Sequence, residues 1–271
     1  MRDYISASQI NTYLNCGRKF MYRYVEGLKI PTSSGPLIRG RAIDETANDH
    51  FVEKADEKAS GFDKGLEKTD FVDLAVSNHD KIADEQHPDG WASESDISRD
   101  KTSKFADLYH GSHGKRLKAK DVDSVQKEIK ANIKFPETDY REGIETEFLG
   151  YIDLIGADNT VVDNKVKGRN TYGNLARDLQ MSLYSWVTGI KDIAIALVLD
   201  KKVPEAKYIT STVPEASHTA IQGKVYDVLN GIKHGVFLPA PEGSWVCSSK
   251  FCEFWNICDY GDKAGKEKTW N

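Results

Sequence analysis

Long apolar runs are missing from this chain. No stretch of its 271 residues approaches the roughly 20 consecutive apolar positions that a membrane-spanning helix needs. The opening Met-Arg-Asp-Tyr-Ile-Ser carries no apolar signal region, so the expectation is a cytoplasmic, soluble protein without a membrane partner. Positive charge is not in excess either. Lys and Arg number 37 against 42 Asp and Glu, a net charge of −5, so no global field draws in a polyanion. A nucleic-acid partner would need a local basic groove. Cysteine is scarce and unevenly placed: Cys16 stands alone, while Cys247, Cys252 and Cys258 crowd the last tenth of the chain. In a reducing compartment such grouping points to metal or cluster ligation more than to disulfides. Four thiolates are what an iron–sulfur cluster or a structural zinc takes. No internal repeat is present, and 39% hydrophobic with 29% charged residues excludes the disordered class.

What is there centres on Gly150 to Lys165. Tyr151 to Ile155 is apolar apart from Asp153, Ala157 to Asn159 reads as a turn, and Thr160 to Val162 is β-branched, so the segment predicts a hairpin. Asp163 and Lys165 are two apart and project from one face of a strand, and the hairpin brings Asp153 beside them. Two carboxylates in a half-buried strand are costly without a cation between them. A divalent metal, a salt bridge with Lys165, or both would serve.

The surrounding pattern predicts an α/β fold, a mixed central sheet flanked by helices. Ser6 with Gln9 is a capping box ahead of Ile10, Tyr13 and Leu14. A loop at 31–36 precedes a helix carrying Leu37, Ile38, Ala42, Ile43, Asp44, Ala47 and Phe51. Residues 53–120 are highly charged and read as a mostly helical insertion over the core, a lid in function, with a turn at 87–90 and loop at 93–103. Strands are expected at 129–135, 193–199 and 207–213. Helices are expected from Leu175 through Val187 and over 221–232, with a solvated tail at 263–268. On the helix after Lys165, Gln180 and Tyr184 share a face. The polar residues on buried elements are thus Asp44, Asp153, Asp163, Lys165, Gln180 and Tyr184. Carboxylates without imidazole or thiolate make a hard oxygen site for Mg²⁺ or Mn²⁺. Such ions meet phosphates, and the chemistry implied is phosphodiester hydrolysis.

Four pieces, in order, carry a resemblance. They are Ser8-x4-Tyr13-Leu14-x-Cys16-x2-Lys19-Phe20-x-Tyr22; Arg39-Gly40-x-Ala42-x-Asp44; Gly150-Tyr-Ile-Asp153 … Val161-Val162-Asp163-x-Lys165 with Gln180-x3-Tyr184; and Cys247-x4-Cys252-x5-Cys258 after Gly235-x-Phe237-x-Pro239. Together they resemble the PD-(D/E)XK nuclease superfamily, in its RecB-like branch that includes AddB-type and CRISPR-associated exonucleases. The resemblance covers nearly the whole chain except 53–120. It implies one RecB-like nuclease domain over 1–271 with a restriction-endonuclease-like core. Its activity would be a divalent-metal-dependent deoxyribonuclease, an exonuclease of recombination, repair or viral DNA processing. Asp153 and Asp163 would be metal ligands and Lys165 the catalytic lysine, with Gln180 and Tyr184 positioning phosphate and lysine. Cys16 and the region 245–260 would hold a [4Fe–4S] cluster joining the chain's ends. Zinc is the competing occupant. Where the resemblance has histidine this chain has Asp44, which can still ligate a hard cation; His50 is too far along the helix to replace it. Glu128 is an accessory carboxylate at most. DNA with free ends or single strands would run along Arg18, Lys19, Arg39, Arg41, Lys167 and Arg169. The other functional class is a catalytically weak relative kept as a DNA-binding or structural subunit.

Overall fold

The computed structural model describes residues 3–29, 35–59, 64–86 and 99–261. The turn at 87–90, the expected loop at 93–98, most of the loop at 31–36 and the tail at 263–268 lie outside the described residues. The chain divides into two compact units. One comprises 1–32, 130–150 and 219–271, the other 33–129 and 151–218.

In the first unit, β1 (Tyr4–Ile5) pairs parallel with β3 (Ile144–Ile155), which runs on into the second unit. β2 (Val125–Phe135) also lies beside β3. Helix α1 (Ala7–Asn15) starts on the capping box read from the sequence: Ser6 Oγ accepts from Gln9 N at 3.3 Å, and Gln9 Oε1 accepts from Ser6 N at 3.0 Å. One turn, α2 (Gly17–Phe20), follows. Gly17 is required there, because a Cβ would fall 2.7 Å from Leu238 N. Tyr22 packs on Phe254 with ring centroids 5.3 Å apart, and Lys19 (2.7 Å) and Arg23 both pair with the buried carboxylate of Glu253. Burial works against the charge of Glu253, but Lys19 and Arg23 outweigh it and hold the carboxyl below its ordinary value.

The second unit is a mixed sheet with helices on its faces. β3 turns through Gly156–Thr160 into β4 (Val161–Lys167), with Gly156 N donating to Thr160 O at 2.8 Å and Asn159 in the left-handed region at φ 63°. β4 pairs parallel with β5 (Asp192–Leu199) from Val161–Ile193 to Lys167–Leu199. β5 pairs antiparallel with β6 (Glu205–Thr212). Ile193 to Leu199 is buried throughout, as a continuous apolar run on a central strand should be.

Three helices cover one face: α3 (Gly35–Ala59), α4 (Lys68–Gln86) and α5 (Arg99–Tyr109). Ile43, Ala47 and Phe51 of α3, Phe71 and Ala75 of α4, and Phe105, Ala106 and Tyr109 of α5 form one core with Leu154, Val162, Ala194, Ala196 and Val198. The described helices of segment 53–120 supply core side chains to the sheet, which a detachable lid would not. Residues 99–103, expected in a loop, are helical, because Phe105, Ala106 and Tyr109 need the preceding turn and Asp100 suits its N-terminal end. The helix expected from Leu175 begins instead at Leu179. Asp178 caps it, accepting from Met181 N at 3.1 Å, and 175–177 form a separate turn. This helix, α6 (Leu179–Thr188), ends on Gly189 at φ 74°. The last α-helix among the described residues is α7 (Glu215–Lys233).

Phe71 is fully buried. Phe71→Ala is expected to cost about 3–5 kcal/mol in urea unfolding. A cost near zero would mean that α4 is a detachable cover and not part of the core.

Candidate active site

The pairing of β3 with β4 covers Ile155–Val161 and Leu154–Val162. At the next position the partner of the Asn164 N–H is no longer a carbonyl: the carboxylate of Asp153 takes it, Oδ2 at 2.7 Å. A strand amide must be satisfied by something, and here the side chain of one strand replaces the backbone of the other. The sequence places Asp153 and Asp163 where this exchange happens.

Asp163 and Lys165 do share a face of β4, with Nζ 2.6 Å from Oδ2. Gln180 Nε2, from α6, donates to Asp163 Oδ1 at 2.8 Å and to the Tyr184 hydroxyl at 3.3 Å. Tyr184 in turn donates to Tyr151 O on β3 at 2.7 Å. The two residues four apart on α6 thus fasten β3 and β4 where their pairing gives out. Asp163 Oδ2 is buried, and the partner it has there is the Lys165 ammonium.

Asn164, on the opposite face of β4, looks toward α3 and α5. Its Nδ2 donates to Asp44 Oδ1 at 3.1 Å, and its Oδ1 accepts from the Tyr109 hydroxyl at 2.6 Å. Neither Asn164 nor Tyr109 stood out in the sequence. Asn164 had a signal, being a polar residue between Val162 and Val166 on the strand's apolar side. Tyr109 had none, lying in a charged segment. Tyr172, also missed, is half-buried, close enough to Asp163 and Lys165 to feel their charge, and lies under the Lys167 ammonium at 4.1 Å.

The electrostatics follow from burial. Asp153 is held well above the ordinary carboxylate range by desolvation first, then by Asp163 and Asp44. Asp163 is raised by burial, although Lys165 opposes it. Burial lifts Asp44 to about 6 against the hydrogen bond from Asn164 and the charge of Lys165. Burial disfavours the charge on Lys165, but Asp163 and Asp153 outweigh it, so the ammonium stays protonated. Excess negative charge in a dry place is what a bound cation relieves.

Other sequence candidates fall elsewhere. Arg39 is buried and paired with Asp200 at 3.3 Å, so as placed it offers little surface to a phosphate. Arg41 pairs with Glu45 at 3.2 Å, Lys167 is half-buried, and Arg169 is exposed. Glu128 accepts from the Tyr151 hydroxyl at 2.7 Å. His50 packs against Phe71 and His110, its Nε2 3.2 Å from Gly114 O, and burial lowers its pKa to about 4. It is a core residue.

In the first unit Cys16, Cys247, Cys252 and Cys258 are free thiols lining one small cavity with Lys19, Tyr22 and Phe254. Burial raises the Cys252 thiol, and the neighbouring Cys16 adds to this. Among the described residues no three His, Cys, Asp or Glu side chains converge as a single-ion site. Also among them, no helix is long and apolar enough to cross a membrane.

Residues 4–259 match the PD-(D/E)XK nuclease superfamily. The chain belongs to that superfamily. Its nucleases are metal-dependent hydrolases, and the α/β core with its mixed sheet accords with the restriction-endonuclease-like fold. Among solved structures, a candidate exonuclease from Eubacterium rectale is similar at 13% identity and a TM-score of 0.53, covering 90% of this chain and 87% of that one. SSO0001 aligns at 12% identity and a TM-score of 0.42, covering 95% of this chain and 87% of that one. No curated protein matches.

A pH dependence follows for the metal-free protein. Asp44 ionises near 3.8 when unfolded and near 6 when folded. Across that window the folded state holds more protons, so stability falls as pH rises. Asp44→Asn removes this slope. The melting temperature of the variant is expected to gain on the wild type between those two pH values and to run parallel above them. A constant difference across the window would contradict the assignment.

Proposed function

We propose that this chain is a divalent-metal-dependent deoxyribonuclease of the RecB-like branch, acting as an exonuclease on single-stranded or free-ended DNA in recombination, repair or viral DNA processing. The observation that carries the reading is the meeting of Asp153, Asp163 and Lys165 where β3 and β4 part, with Gln180 and Tyr184 behind them.

Carboxylate oxygens suit a hard cation, which would draw together three side chains that do not converge as a single-ion site in this structure. One oxygen of each carboxylate is already bonded within the protein: Oδ1 of Asp44 to Asn164, Oδ2 of Asp153 to Asn164 N, and Oδ1 of Asp163 to Gln180. The second oxygens are the ones a cation would take; for Asp163 this is Oδ2, which the Lys165 ammonium holds in the metal-free protein. Asp153 and Asp163 would hold Mg²⁺ or Mn²⁺, with Asp44 as a further carboxylate. When bound, the ion would polarise the scissile phosphate and make water a better nucleophile.

The residues of the chain do the rest. Lys165 stays protonated, so it serves as a fixed positive charge for the phosphate oxygens and not as a general base. Gln180 keeps Asp163 from rotating, and Tyr184 anchors Gln180 to β3. Lys167, Arg169 and Tyr172 lie next along the chain, suited to a phosphate backbone and a stacked base or sugar. Such contacts make binding fall steeply with salt.

For the first unit, the reading is a [4Fe–4S] cluster on Cys16, Cys247, Cys252 and Cys258. All four thiols face one cavity, and ligation would offset the cost of their burial. Zinc is the alternative by donor chemistry, and would require these thiols to close onto one ion.

The experiment is degradation of end-labelled single- and double-stranded DNA by anaerobically purified protein in Mg²⁺ or Mn²⁺, beside Lys165→Ala. Loss of label that requires the metal and drops about a hundredfold or more in the variant supports the nuclease. The same preparation should be brown and contain iron; colourless protein with stoichiometric zinc would replace the cluster by zinc. Folded, metal-supplied protein that binds DNA without cutting would favour the catalytically weak DNA-binding subunit.

A further inference from the structure

Asn164 is the hub of the site. From one residue, three bonds run to three elements: its backbone N–H to Asp153 on β3 (2.7 Å), its amide nitrogen to Asp44 on α3 (3.1 Å), and its amide oxygen to the Tyr109 hydroxyl on α5 (2.6 Å). Because Tyr109 donates to the amide oxygen, the amide N–H₂ must face Asp44. The phenol therefore decides which way the amide is turned, and the amide decides where the Asp44 carboxylate sits.

The anchor is rigid. Tyr109 is 1% exposed, stacks on Phe71 with ring centroids 5.9 Å apart and meets His113 at 5.2 Å. Asn164 is 8% exposed, on a strand paired with β5. A core residue at the end of α5 thus reaches through one side chain to a carboxylate of the site. Hydrophobic packing alone needs no hydroxyl on Tyr109; phenylalanine would fill the same space.

We propose that Tyr109 and Asn164 are positioning residues that hold the Asp44 carboxylate in the divalent-cation site. The assignment rests on the metal-dependent reading above. Asp44 comes from α3 and not from the sheet, so no strand fixes its geometry, and the Asn164 amide holds its Oδ1. Outer bonds of this kind commonly govern metal affinity by about 10–100-fold.

The test is Mg²⁺ affinity by titration calorimetry on the whole protein, without DNA, with folding checked by circular dichroism. Tyr109→Phe is expected to weaken Mg²⁺ binding about three- to tenfold, and Asn164→Leu by about 10–100-fold. In an Asp44→Asn background the Tyr109→Phe effect should vanish, since a residue acting through Asp44 has nothing left to act on. A purely structural hydroxyl would cost the same in both backgrounds, and that result would overturn the proposal, as would unchanged affinity in Tyr109→Phe. Tyr109→Phe keeps the ring, so the cycle stands even if Asn164→Leu fails to fold. Asp163→Ala separates the two claims. If the wild type binds Mg²⁺ and Asp163→Ala does not, but the cycle is additive, only the relay falls. If the wild type binds no Mg²⁺, or Asp163→Ala binds as well as it does, the metal-dependent reading falls and takes the relay with it.

Discussion

Everything at the site depends on one exchange in the sheet, where a carboxylate takes the place of a carbonyl. Once Leu154 and Val162 have paired, the Asn164 N–H bonds to the Asp153 side chain. That satisfies the amide and brings the Asp153 carboxylate onto the strand that carries Asp163. Two carboxylates there, with a third from Asp44, exceed what Lys165 can neutralise, and burial magnifies the imbalance. The surrounding helices make sense as restraints on this charge. α6 fixes Asp163 and β3 through Gln180 and Tyr184, and α5 fixes Asn164 through Tyr109. Lys165 sits on the same strand face as its partner and needs no helper.

Much of this was legible in the sequence. The period-2 geometry of a strand puts Asp163 beside Lys165, and the period of a helix puts Gln180 beside Tyr184; both follow from spacing alone. The Ser6–Gln9 cap and the buried strand at 193–199 were equally local. What could not be read was anything decided by packing across the fold. Phe71, Phe105 and Tyr109 lie in a stretch whose charge hides their apolar stripe, so helices that supply core side chains looked like an ornament. Arg39 looked like a phosphate contact because its position beside Gly40 gave no hint of Asp200, 161 residues away. Asn164 gives the weaker signal, a single polar residue between Val162 and Val166 beside a face that Asp163 and Lys165 make conspicuous.

The first unit follows a different economy of contacts. Its aromatic residues and the Glu253 ion pairs draw the cysteine-bearing segment onto α2 and the turn after it, so the thiols face one cavity. The second unit has a core large enough to hold its own geometry. The first buries Ile10, Phe20, Phe148, Val225 and Val228, and its four thiols line a cavity where a ligated metal or cluster would add stability beyond that packing.

The central claim is that a cation belongs between Asp153 and Asp163. The most direct measurement is anomalous diffraction from crystals equilibrated with Mn²⁺, which locates the ion without reference to activity. The account predicts a manganese peak in contact with both carboxylates, Asp163 Oδ2 among its ligands, and its loss in Asp163→Ala. Crystals of folded protein with no peak at these carboxylates, and Lys165 still on Asp163, would contradict it and leave the cluster a structural ion pair.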